Sequence, residues 1–152
     1  MIKPTIKVAY FGNNKILKEN VSIEQSSISA LNAHFKMYTA IRNYENEEVE
    51  YMIWDLTPIY ELSKKNNIEP LMLNYTRGSK GIILNAYEST LNLNEVSILT
   101  EKLKNLNIPI FMIYNKNNEE TNNIIKDKKL NLALNLEEAL LPMYNNFINK
   151  LF

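Results

Sequence analysis

The run Ile6-Lys7-Val8-Ala9-Tyr10-Phe11-Gly12-Asn13-Asn14-Lys15-Ile16-Leu17-Lys18-Glu19 constrains this chain more than any other stretch. Its first half is apolar and β-branched, the make-up of a strand buried on both faces of a sheet. A glycine breaks the run, and a helix pattern opens behind it. Strand, glycine turn and helix together are the layout of a phosphate-binding loop, whose spacing is G-x-x-x-x-G-K-[ST]. Gly12 and Lys18 stand at that separation, whereas Leu17 occupies the second glycine position and Glu19 the hydroxyl position. The scaffold of a phosphate site is present with two of its working residues replaced.

Composition narrows the chemistry. The chain has 152 residues, enough for one domain with a real core, so residues 1–152 are read as a single domain. Lys+Arg and Asp+Glu balance at 17 each, which gives no general pull toward nucleic acid or anionic lipid. The absence of Cys removes disulfides, thiolate metal sites and a cysteine nucleophile, and a single His removes a multi-histidine metal site. The chain enters a strand pattern almost at once and holds no apolar run long enough to cross a bilayer, so the expected address is the cytoplasm.

The remaining pattern alternates. Residues 35–44 and 49–55 are strand-like and joined by the polar turn Asn46-Glu47-Glu48, an antiparallel hairpin. The stretch from Ser22 to Ser29 is polar and reads as a connection. Residues 56–76 are mixed, with Pro58 and Pro70 expected to limit regular structure. Gly81-Ile82-Ile83-Leu84 and Ile108–Tyr114 read as buried strands. Leu93–Leu106 reads as an amphipathic helix capped by Asn92 or Asn94. Residues 115–129 read as a charged loop with at most one helical turn, Asn131–Leu134 as a last short strand, and Leu136–Phe152 as a final helix kinked or delayed by Pro142. Alternating strands and helices predict an α/β fold. The sheet is expected to be mostly parallel and six-stranded, with one antiparallel edge strand and helices on both faces.

Several segments, taken in order, resemble the Ras-like small GTPases, and the Rab branch in particular. Phe35-Lys36, the hairpin and Ile53-Trp54-Asp55 are similar to the run from the first switch to WDTAGQ. Tyr75-Thr76-Arg77-Gly78-Ser79-Lys80-Gly81-Ile82-Ile83-Leu84 is similar to YYRGxxGxIL. Tyr114-Asn115-Lys116-Asn117-Asn118 is similar to the guanine-reading GNKxD. The resemblance covers nearly the whole chain. It implies the small-GTPase fold, residual nucleotide-binding positions at Gly12, Lys18, Asp55, Asn115, Lys116 and Asn118, and an aromatic partner-binding triad at Phe35, Trp54 and Tyr75.

The departures fall on the chemistry. Leu17 puts a side chain where the phosphate loop brings bare backbone to the ligand. Glu19 sets a carboxylate near polyphosphate in place of a Mg²⁺-ligating hydroxyl. The threonine of the first switch falls on Ala30, next to Ser29. In the second switch, Pro58 lacks the N–H that reaches the γ-phosphate, and Ile59 cannot orient a water as the family's Gln does. Asn118 presents an amide where a carboxylate accepts twice from guanine, a mismatch of about 1–3 kcal/mol. These losses imply a pseudo-GTPase with no catalytic residues, no metal and no cofactor, serving as a protein-interaction module in a larger complex. The alternative is a divergent GTPase that binds GTP or GDP with Mg²⁺ weakly, with altered base preference.

Plainer readings remain beside these: Gly12 as a turn, Lys18 as a solvated helix residue, Asp55 as a strand-end cap and Asn115-Lys116 as loop polarity. A receiver-like or flavodoxin-like domain is a further reading, but the first strand lacks the paired acids of the one and the Ser/Thr-rich loop of the other. The chain ends at Phe152 behind its last helix, so the prenylated tail of the resembled family is expected to be missing. Membrane contact would then run through a partner; vesicle trafficking is the process the resemblance implies.

Overall fold

A computed structural model describes residues 4–20, 23–30, 33–64, 69–87, 91–114 and 119–151. One seven-stranded sheet runs through it in the order β2-β3-β4-β1-β5-β6-β7. Its strands are β1 (Thr5–Gly12), β2 (Ile23–Ala30), β3 (Ala33–Tyr44), β4 (Glu47–Asp55), β5 (Gly81–Asn85), β6 (Ile110–Ile113) and β7 (Asn131–Ala133). The helices are α1 (Lys15–Asn20), α2 (Thr57–Ser63), α3 (Glu69–Thr76), α4 (Leu93–Leu103), α5 (Glu119–Lys128) and α6 (Leu136–Leu151), with a 3-10 turn at Lys104–Leu106.

β1 is the central strand, parallel to β4 in the register Tyr10↔Asp55 and to β5 in the register Gly12↔Asn85. Its alternation explains its position. Ile6, Val8 and Tyr10 are buried on one face of the sheet, and Ala9 and Phe11 on the other. The first face is covered by α1 through Leu17 and by α6 through Leu136, Ala139, Leu140 and Met143. The second is covered by α2 through Ile59 and Tyr60, α3 through Met72, and α4 through Val96, Leu99 and Leu103. The expectation of an α/β fold with a mostly parallel sheet and helices on both faces holds.

The strand count is corrected. The sheet has seven strands, because the polar stretch read as a connection forms β2, paired antiparallel with β3 from Ile23↔Thr39 to Ala30↔Ala33. β3 also runs antiparallel to β4. The one strand of opposite direction therefore lies inside the sheet, and β2 forms the edge. Serine-rich strands are hard to read because an edge strand needs little apolar surface.

Other boundaries move for identifiable reasons. The hairpin turn is Glu45-Asn46, not Asn46–Glu48, with φ of 49° and 71°. Two consecutive left-handed residues make the turn whose twist matches that of the flanking strands. Pro58 and Pro70 do not block α2 and α3. Each lies in a first turn, where a missing N–H costs nothing. Residues 119–128 form a helix rather than a loop. Thr121 is buried and Ile124 and Ile125 are half-buried, a narrow stripe hidden among charges. Asn92 caps α4 as expected, its side chain accepting from the Glu95 N–H at 2.9 Å. α6 starts at Leu136 and continues through Pro142 to Leu151. It opens on Asn135, which accepts from the Glu138 N–H at 2.9 Å, while the Glu138 carboxylate takes the Leu134 N–H at 2.6 Å.

Candidate functional site

The parallel strands direct attention to their carboxyl ends. β1 passes to α1 on one face of the sheet, whereas β5 passes to α4 on the other. Where adjacent strands send their connections to opposite faces, a crevice opens beyond the strand ends, and open α/β sheets bind ligands there. Asn13, Lys15, Ile16, Glu19, Asn85 and Tyr87 line a crevice of about 280 Å³ at this point.

Hydrogen bonds within the protein floor that crevice. Tyr10 Oη donates to the Asn13 carbonyl at 2.5 Å and accepts from Asn85 Nδ2 at 2.8 Å. Asn85 Oδ1 takes the Tyr87 N–H at 3.0 Å, which turns the chain out of β5. Gly12 has φ of 127°, and a Cβ there would lie 2.4 Å from the Asn85 carbonyl oxygen. Glycine is thus required at the β1 end by β5, whether or not a ligand is bound.

A second knot joins β1 to β4. Thr57 Oγ1 accepts the Gly12 N–H at 2.9 Å and lies 2.7 Å from Asp55 Oδ1 and 3.0 Å from the Gly12 carbonyl. Asp55, only 5% exposed, also accepts the Thr57 N–H at 3.2 Å. Burial raises the Asp55 carboxyl above the usual carboxylate range, while the bonds from Thr57 and Asn14 and the positive charge of Lys18 oppose that rise.

The structure therefore joins Gly12 to Asp55 through Thr57, and the charge of exposed Lys18 acts on Asp55 as the smallest of these influences. It does not make a phosphate cradle of them. α1 begins at Lys15, so Asn13 and Asn14 alone separate it from β1. The Asn14 carbonyl already accepts the N–H groups of Leu17 and Lys18 at 3.0 and 3.1 Å. Leu17 is fully buried in the core, and Lys18 is exposed in the last turn of α1. Ile59, on α2 at the water-orienting position of the resembled family, is likewise fully buried against the sheet. A phosphate loop of the G-x-x-x-x-G-K type does not fit this connection. Ser29 and Ala30 pair with His34 and Ala33 in the outer hairpin, with β3 and β4 between them and β1. Asn115, Lys116 and Asn118 lie outside the described residues.

Two of the three expected partner-binding aromatics touch. The rings of Trp54 on β4 and Tyr75 on α3 lie 6.1 Å apart at 42°, and both are half-buried. The Lys7 ammonium sits 4.5 Å from the centre of the Trp54 ring and donates to the carbonyls of Tyr75 and Arg77, each at 2.8 Å. It ties the end of α3 to the sheet and places a cation on an aromatic face. Burial lowers the pKa of Lys7 from its ordinary value. Phe35, on β3, pairs with Ile28 of β2, and its side chain is not among those described.

Sequence reasoning missed Thr57, Asn85, Tyr10 and Lys7. The signals were present. A hydroxyl two residues after a strand-end Asp, and an Asn closing an apolar strand, both mark polar closure of a sheet edge.

No family model matches the chain, and no curated protein sequence matches it significantly. Among the described residues, no helix is long and apolar enough to cross a membrane.

Proposed function

We propose that this chain is a Rab-like pseudo-GTPase that works as a non-catalytic protein-interaction module within a larger complex. One observation carries the reading. Leu17 and Ile59, at the positions where the resembled family handles phosphate and water, are both fully buried core residues. Side chains committed to the core are not available to a nucleotide. The sheet, with one strand of opposite direction among parallel neighbours and helices on both faces, is consistent with the resemblance. The Trp54–Tyr75 pair, held over Lys7, supplies a half-buried aromatic anchor of the kind that carries binding energy at interfaces.

Denaturing protein that was purified without added nucleotide tests this. The expected result is a folded protein that releases no GDP or GTP. Stoichiometric release would overturn the proposal.

The second reading, weak nucleotide binding, is favoured by the positive charge of Lys18, which acts on Asp55, and by Lys15 on the crevice wall. A melting-temperature series with GDP, GTP and other nucleotides plus Mg²⁺ separates the two. A ligand at a hundred times its dissociation constant adds about 2.7 kcal/mol.

A further inference from the structure

α6 carries more apolar surface than the sheet uses. Leu136, Ala139, Leu140 and Met143 are buried against the sheet. Leu141, Tyr144 and Ile148 follow a second line, spaced i, i+3 and i+7, and none of the three is buried. Leu141 is 43% exposed. A helix that serves one core alone is polar outside its buried stripe, so this second stripe is surplus to the fold. It forms one wall of a groove of about 680 Å³. The other wall is the tip of the β3–β4 hairpin, with Asn43, Tyr44 and Glu45.

Bonds between the two walls hold the groove in shape. The Tyr44 ring lies 4.9 Å from that of Tyr144, tilted at 45°. The Tyr44 and Tyr51 hydroxyls are 3.2 Å apart, and Tyr51 donates in turn to the Leu140 carbonyl at 2.8 Å. Tyr144 Oη donates to Glu47 Oε2 at 2.5 Å, which places that carboxylate at the groove. This bond first, then desolvation and the negative charges of Glu47 and Glu45, push the Tyr144 hydroxyl up to about 12. Charge at the groove is one-sided. Residues 43–50 hold four glutamates and neither Lys nor Arg, while residues 141–149 hold no charged residue at all. Arg42, at the foot of the hairpin, is held by Glu137 at 2.7 Å. A second copy of this chain would bring the same uncharged stripe and the same glutamates to the contact, because a two-fold interface joins like to like. The groove calls instead for cations beside an apolar strip.

We propose that the groove between α6 and the β3–β4 hairpin docks a basic amphipathic helix of a partner protein. The apolar side of that helix lies along Leu141, Tyr144 and Ile148, over about 10 Å, in the anchor spacing of helix-in-groove recognition. Its Lys or Arg side chains face Glu45 and Glu47, whose charge selects the partner and speeds its arrival. The groove is on the α6 side of the sheet, whereas Trp54 and Tyr75 are on the other. It therefore does not depend on the pseudo-GTPase reading and leaves the aromatic pair open to a separate contact.

Fluorescence anisotropy of a labelled amphipathic peptide of leucine and lysine, about four helical turns long, tests this on the full chain. The same peptide with glutamate in place of lysine is the charge control. The lysine peptide is expected to bind saturably and the glutamate peptide not to bind. Leu141→Gln, at an exposed position, should keep the melting temperature of the parent and weaken the lysine peptide about tenfold. Glu45→Lys should weaken it about three- to fivefold, the size of an exposed charge contact, and give the glutamate peptide measurable affinity. Ile98→Gln, at an exposed apolar position on α4, should change neither. Equal affinity for the two peptides, or parental binding by Leu141→Gln, would overturn the proposal. So would a dimer of the parent that Leu141→Gln dissolves in sedimentation, because the groove would then belong to a second copy.

Discussion

Gly12 rests against the Asn85 carbonyl so closely that a Cβ would stand 2.4 Å from the oxygen. The backbone at Gly12 also has φ of 127°, a region that side chains rarely enter. Gly12→Ala therefore pays twice, in backbone strain of about 1–3 kcal/mol and in forced separation of β1 from β5. Urea denaturation is expected to show a loss of at least about 2 kcal/mol. A near-neutral result would mean that the two strand ends part easily and that the crevice floor is soft.

Thr57 links this strand end to the next. Its hydroxyl serves Gly12 and Asp55 together, so Thr57→Val leaves the Gly12 N–H and a buried carboxylate each short of a partner. The expected cost is about 1–3 kcal/mol, and Thr57→Ser, which keeps the hydroxyl, should recover most of it. A larger loss for Thr57→Ser than for Thr57→Val would assign the effect to packing of the methyl group instead.

Asp55 sets a pH dependence. Burial lifts its carboxyl above the usual range, so the folded chain keeps this proton to higher pH than the unfolded chain does. The stabilisation this gives is fully present below the ordinary carboxylate pKa and is lost as pH rises through the folded value. Asp55→Asn keeps an acceptor for Thr57 without the buried charge. The variant is expected to match or exceed the parent in stability at pH 7. The difference should shrink toward zero near pH 4, where the parent carboxyl is increasingly protonated. Denaturation midpoints across this range check it, and a penalty that is constant with pH would contradict the charge argument.

The fold was legible where burial on two faces leaves no polar alternation to interpret. Residues 5–11, 81–84 and 108–114 read as strands from their apolar runs, and β1, β5 and β6 lie there. β2 and α5 did not, because each carries a thin apolar signal that only its neighbours complete. The site divided in the same way. Gly12 and Asp55 were marked by their places at strand ends. The bonds that give them their roles run through Thr57 and Asn85, and those depend on the parallel registers of β1 with β4 and β5. Pairing between strands distant in sequence is what spacing within one segment cannot reveal.

Leu17 offers the sharpest test of whether a phosphate loop lies dormant in β1–α1. It is fully buried against the sheet, so Leu17→Ala should cost about 2–5 kcal/mol. Leu17→Gly restores the motif residue but opens a larger cavity and adds about 1 kcal/mol of helix penalty. It is expected to be less stable still and to gain no shift in melting temperature from Mg²⁺ with GDP or GTP. A nucleotide-dependent rise in the Leu17→Gly variant alone would show that one side chain closes the site, contrary to the short connection between β1 and α1.

Trp54 is the only tryptophan in the chain, so its fluorescence reports directly on the aromatic pair. Tyr75 covers one side of it at 6.1 Å, and the Lys7 ammonium stands over its ring at 4.5 Å. Tyr75→Ala is expected to shift the emission to the red and to raise quenching by acrylamide, as the indole meets water. Lys7→Met removes the cation and the two bonds to the Tyr75 and Arg77 carbonyls while keeping an apolar stem, so a smaller shift is expected. If the pair anchors a partner, Tyr75→Ala should also weaken a recovered complex by about 2 kcal/mol or more, some thirtyfold, whereas the exposed Ile98→Ala on α4 should not. Changes in Trp54 emission without any loss of binding would keep the pair as part of the core and remove it from the interface.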